Sequence, residues 1–140
     1  MTMTPAVASV SRSVRVGPAG LDNGEVLGRL AGRLAELART VRAEGGFVGH
    51  IKAYVSFSAG GGVGLSVVRD QPEIKAFDFQ PQAPASDFKV SVAAIVYNYD
   101  EGELSRLLNQ SLTAALPGFM SGRAPDHKNL KPIKPYEVSL

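Results

Sequence analysis

Cysteine is absent from all 140 residues, which removes disulfides, thiolate nucleophiles and cysteine-ligated zinc or iron–sulfur centres together. Histidine is scarce: His50 and His127 are the only two, with no paired spacing that could hold a metal. A mononuclear site would have to draw carboxylates from unrelated loops, so no metal is expected. Long apolar runs are also missing, and no stretch approaches the roughly 20 residues needed to span a bilayer. Met1 to Ser13 is broken by Thr, Ser, Pro and Arg and has no apolar signal-peptide core. The expectation is a cytoplasmic protein without a membrane partner. Nor does one sign of charge dominate, since 15 Lys and Arg face 13 Asp and Glu for a net charge of +2. That is too small to argue for nucleic acid by itself.

Two further absences narrow the chemistry. Gly60, Gly61, Gly62 and Gly64 are not followed by Gly-Lys-Ser or Gly-Lys-Thr, and a strand pattern rather than a helix comes next, so no phosphate loop is read there. No Gly-x-Ser-x-Gly elbow occurs either. No cofactor is predicted.

What the chain does contain is one domain's worth of residues, 44% of them hydrophobic, enough to bury a core without staples. Its clearest signal is Phe47 to Ser58. Read with a period of two, Phe47, Ile51, Ala53, Val55 and Phe57 share one face, and His50, Lys52, Tyr54, Ser56 and Ser58 the other. Val63, Leu65 and Val67 continue the apolar face beyond a glycine turn, with Gly64 and Ser66 opposite, which makes a hairpin. Ile74 to Phe79, fenced by Pro72, Pro81 and Pro84, suits an edge strand. Phe88, Val90, Val92, Ala94 and Val96 alternate with Lys89, Ser91, Ala93 and Tyr97 in a second long strand, and Ile95 breaks the pattern enough to suggest cover on both faces.

Helices flank these strands. Asp22 and Glu25 have capping-box spacing, and Leu27, Leu30, Leu34, Leu37 and Val41 draw one stripe along a helix from about Gly24 to Glu44, ended by Gly45 and Gly46. Gly28 and Gly32 inside it are expected where something approaches closely. The stripe packs on the chain's own sheet or, in the sharper reading, forms a seam with a second subunit. Asp100 and Glu103 repeat the capping spacing ahead of Leu104, Leu107, Leu108 and Leu112.

The predicted fold is therefore α+β: a two-layer sandwich of helix, three- or four-stranded antiparallel sheet, then helix. The domain spans 21–118, between a flexible arm over 1–20 and an extended tail over 119–140, where Pro125, Pro132 and Pro135 interleave with Lys128, Lys131 and Lys134. The order of elements is similar to that of the double-stranded RNA-binding domain, and the likeness ends with the order. Asp100, Glu101 and Glu103 give the second helix a negative start that repels phosphate.

If both helices cover one side, the other side carries His50, Lys52, Tyr54, Ser56, Ser66, Lys89, Ser91 and Tyr97 as the candidate binding face. Three functions compete for it. The first is a non-enzymatic homo-oligomer, a dimer, or a partner-binding module with mobile termini that can dock on another protein. Its small side chains permit flat packing, with the tyrosines as anchors. The second is a nucleic-acid or anion site, because bases stack on rings while Lys52 and Lys89 meet phosphates. The third is a small enzyme centred on His50, whose ordinary pKa suits proton transfer but whose face offers no orienting carboxylate.

Overall fold

The fold is that of a computed structural model, described for residues 4–15, 21–58, 60–68, 71–78, 80–81 and 87–116. Helix α1 (Asn23–Ala43) begins where Asp22 accepts from the Glu25 backbone N–H at 2.7 Å while the Glu25 carboxylate accepts from the Asp22 N–H at 3.3 Å, a complete capping box. Gly45, at a φ of +94°, turns the chain out of it. Helix α2 (Glu101–Ala115) keeps half of that device. Asp100 accepts from the Glu103 N–H at 2.8 Å, but the Glu103 carboxylate turns outward to Arg106.

Five strands follow the order β1 (Pro5–Val14), β5 (Phe88–Tyr97), β2 (Phe47–Phe57), β3 (Gly62–Val68) and β4 (Gln71–Phe77) across one antiparallel sheet. The α+β class with helices before and after the sheet stands as expected, with five strands rather than three or four. The additional strand is β1. Residues 5–14, expected in a flexible arm, pair along their whole length with β5, from Pro5 opposite Tyr97 to Val14 opposite Phe88. Ala6, Ala8, Val10 and Val14 are buried there. Alanine and valine on alternate positions supply enough apolar surface to hold an edge strand, although the alternating serines dilute the pattern. Strand β4 runs from Gln71 to Phe77, earlier than the expected 74–79, and takes Pro72 within it, which an edge tolerates. The remainder of the arm and the tail over 119–140 lie outside the described residues.

Both helices cover one side of the sheet. Helix α2 packs on β1 and on α1, while α1 lies over β2, β3 and β4. The α1 stripe of Leu27, Leu30, Leu34, Leu37 and Val41 is buried in the same core as Ile51, Val55, Leu65, Val92, Leu104, Leu108 and Leu112. This settles the two readings of the stripe: it packs inside the chain and is not a seam for a second subunit. At about 25 cal/mol per Å² of apolar surface, such burial outweighs any capping term. Gly28 and Gly32 lie on the exposed back of α1, and a Cβ at either would meet nothing within 4 Å among the described residues. No close approach explains them.

A knot of polar contacts pins the end of α1 to the sheet. The Tyr99 hydroxyl donates to the Glu44 carboxylate, and the Asn98 side-chain amide, on a residue at φ +57°, donates to the Gly45 carbonyl at 3.0 Å. Burial first, and the Glu44 carboxylate second, raise the Tyr99 hydroxyl well above its ordinary pKa, so it stays a donor.

Candidate functional site

The sheet surface turned away from the helices is built by register. Ser56 pairs with Lys89, Tyr54 with Ser91 and Lys52 with Ala93 between β2 and β5, while Lys52 pairs with Ser66 and Tyr54 with Gly64 between β2 and β3. These pairings bring Lys52, Tyr54, Ser56, Ser66, Lys89 and Ser91 onto one face, and Ile95 opposite His50 and Tyr97 opposite Phe47 extend it. All eight residues expected on the second face therefore share it. Strand β1 adds Val7, Ser9, Ser11 and Ser13, with the Ser11 and Ser91 hydroxyls 3.1 Å apart. Strand β4 contributes Glu73 opposite Ser66 and Lys75 opposite Gly64.

The tyrosines do not stand free. Tyr97 lies over Gly49, where an added Cβ would come within 3.0 Å of ring carbon Cε2, and Tyr54 lies over Gly62. Each ring shields the bare backbone of a glycine on the neighbouring strand, the cross-strand arrangement that compensates a strand glycine. One side of each ring is thus committed to the protein itself.

One residue moved faces. Phe47, expected on the core face, lies on the outer one, because the register of β2 against β5 shifts between Val48 and His50. Gly49 is the extra residue of a β-bulge, and one inserted residue exchanges the faces of everything before it. Val48 accordingly packs against the core and Phe47 opposite Tyr97 is exposed. The signal was present in the sequence, since a glycine inside a strand pattern marks such a bulge.

The apolar part of the face was not anticipated. Of the four large hydrophobics exposed among the described residues, Phe47 (56%), Val68 (51%) and Val7 (44%) are on this surface, and only Ile74 belongs to the helix side of β4. Val7 pairs with Ile95, Ile95 with His50, and Phe47 with Tyr97, so these residues form one continuous patch at one end of the sheet. At the other end a cavity of about 380 Å³ opens where both faces meet, between Ser13–Arg15, Ser56–Ser58 and Asp87–Lys89.

His50 stands at the border of the apolar patch. Among the described residues it makes no hydrogen bond or ion pair, and its Nε2 is buried without a partner. Burial, and after it the charge of Lys52, hold its imidazole below the ordinary value, so it is neutral at pH 7. Acid–base work asks for a group that fixes the tautomer, and no carboxylate bonds to it here. The described residues also contain no group of three His, Asp or Glu able to hold a metal ion, and no helix long and apolar enough to cross a membrane.

No family model and no curated protein matches the chain. Among solved structures it is similar to zinc-bound YjiA GTPase from E. coli and to a zinc-bound triple mutant of YjiA GTPase, both at 11% identity. The TM-scores are 0.39 and 0.40, over 75% of this chain and 29% of theirs. Likeness of that degree does not establish a shared fold or activity.

Proposed function

We propose that the chain is a non-enzymatic, homo-oligomeric binding module of the cytoplasm that receives a protein partner on the sheet face turned away from its helices. The observation that carries this reading is the concentration of exposed Phe47, Val68 and Val7 on that one face. Apolar side chains clustered beside small polar ones mark a surface that gains by being covered. Ser9, Ser11, Ser66 and Ser91 allow flat approach, and Phe47 supplies the aromatic anchor.

A second reading keeps the face and changes the partner. Lys52 and Lys89 flank Tyr54 in register, and on β1, β5, β2 and β3 no acidic residue shares the face with them. Such a surface can hold a single-stranded nucleic acid.

One comparison separates the two. Wild-type and Phe47→Asp chains serve as baits for affinity capture, and oligonucleotide binding is titrated against salt. Proteins held by the wild type and lost from Phe47→Asp support the first reading. Identical captures from both baits overturn it, and oligonucleotide binding that weakens steeply with salt selects the second.

A further inference from the structure

The two edges of the sheet are treated differently. On β4, Pro72, Glu73 and Lys75 are the residue types that discourage strand addition. Strand β1 has Pro5 at its start and Arg12 on its helix side, but its outer face, Val7, Ser9, Ser11 and Ser13, carries neither charge nor proline. Its outward backbone groups can be identified. The Val7 N–H donates to Glu101 Oε1 of α2 at 3.0 Å, so Val7 belongs to a pair that does not exchange hydrogen bonds with β5. In an antiparallel ladder such pairs alternate, and Ser9, Ser11 and Ser13 therefore also point their N–H and C=O groups away from the sheet. Nothing among the described residues bonds to these groups.

Glu101 marks where this free edge stops. Its carboxylate occupies the Val7 N–H and leaves a negative group at the edge, while exposed Arg15 closes the other end. From this we infer that a second copy of the chain adds to β1, antiparallel, about a two-fold axis through Ser11. That register pairs Ser11 with itself and Ser9 with the partner's Ser13, each exchanging both backbone hydrogen bonds. It also sets Val7 opposite the partner's Arg15, so the carboxylate of Glu101 meets an opposite charge at both ends of the interface. An axis through Ser9 would instead need the Val7 N–H that Glu101 already holds, and would set Ser13 against Pro5, which has no N–H to give. On the helix side Val10 meets the partner's Arg12. The two copies of Arg12 are diagonal neighbours there, a repulsion that the two Glu101–Arg15 pairs offset. The product is a ten-stranded sheet whose two outer faces lie side by side.

This inference rests on the homo-oligomeric part of the proposed function and names its interface. The test is sedimentation equilibrium of the full chain, with hydrogen exchange at the Ser9, Ser11 and Ser13 amides and a thermal melt to confirm folding. The wild type should be a dimer with these amides protected. Ser11→Pro removes the outward N–H together with the hydroxyl that meets Ser91 and should weaken the dimer at least tenfold, whereas Ser11→Ala, which loses only the hydroxyl, should leave it intact. Arg15→Glu should weaken it several-fold, and adding Glu101→Arg should restore it, which also covers the case in which Ser11→Pro does not fold. A wild-type dimer indifferent to both Ser11→Pro and Arg15→Glu overturns the edge and leaves homo-oligomerisation standing. A wild-type monomer overturns both, and protected amides in that monomer would assign the edge to the chain's own residues 117–140.

Discussion

The ring of Tyr54 leans along the sheet to cover Gly62, and a Cβ at Gly62 would come within 2.8 Å of its Cζ. Tyr54 pairs directly with Gly64, so this cross-strand contact is diagonal rather than directly opposed. Gly62→Ala should therefore displace the ring and cost about 1 kcal/mol, while Tyr54→Ala alone should expose the backbone of Gly62. Urea unfolding of both single variants and the double should give a coupling energy of about 1 kcal/mol. Simple additivity would mean that the ring does not rest on Gly62.

The glycines of α1 should divide by surroundings. Gly28→Ala and Gly32→Ala place a methyl group on an exposed helix surface where nothing among the described residues stands within 4 Å, and each should raise stability by about 0.5–1 kcal/mol. Gly46→Ala should do the reverse, because its Cβ would lie 2.7 Å from Val41 Cγ1 and 3.1 Å from Tyr99 Cδ1. A loss of about 1–3 kcal/mol is expected, read from denaturation midpoints. A stabilised Gly46→Ala would show that the junction between α1 and β2 is looser than described.

How much of this was legible in the sequence follows from what each signal depends on. Ile51 to Phe57 and Phe88 to Val92 alternate so regularly that their faces could be read without neighbours, and so could the helical stripes with their caps. Strand β1 could not, because its Ala, Val and Ser positions become a strand only through pairing with β5. The position of Phe47 hid for a related reason: period-two counting runs through Gly49 as though it occupied an ordinary place in the ladder. The consequence for the candidate site was specific. Its polar members follow from strand alternation alone, while Val7 and Phe47, apolar members that carry the functional reading, depend on the pairing of β1 and on the bulge at Gly49.

The face exchange at Gly49 can be checked with two phenylalanines at opposite ends of β2. Phe57 is 5% exposed and packs its ring against Phe88 at 5.8 Å, whereas Phe47 is exposed. Phe57→Ala should cost about 3–5 kcal/mol through lost burial and the cavity left behind. Phe47→Ser should change stability by no more than about 0.5 kcal/mol, as surface substitutions do. Equal losses at the two positions would return Phe47 to the core and remove the bulge.

Acid should reveal His50. Burial and then Lys52 lower its pKa in the fold from the ordinary 6.5. As the pH falls through that ordinary value the unfolded chain takes up a proton that the folded chain still refuses, and stability drops until the folded pKa is reached. The contribution is complete above pH 6.5 and lost below it, the opposite sense to a histidine held by a carboxylate. Urea midpoints on either side of that value should fall further for the wild type than for His50→Gln. In Lys52→Gln the imidazole pKa, followed by NMR, should rise part of the way back, because burial is the larger cause and remains. If the wild type and His50→Gln lose stability in parallel, the imidazole is solvated in the folded chain and does not border the apolar patch.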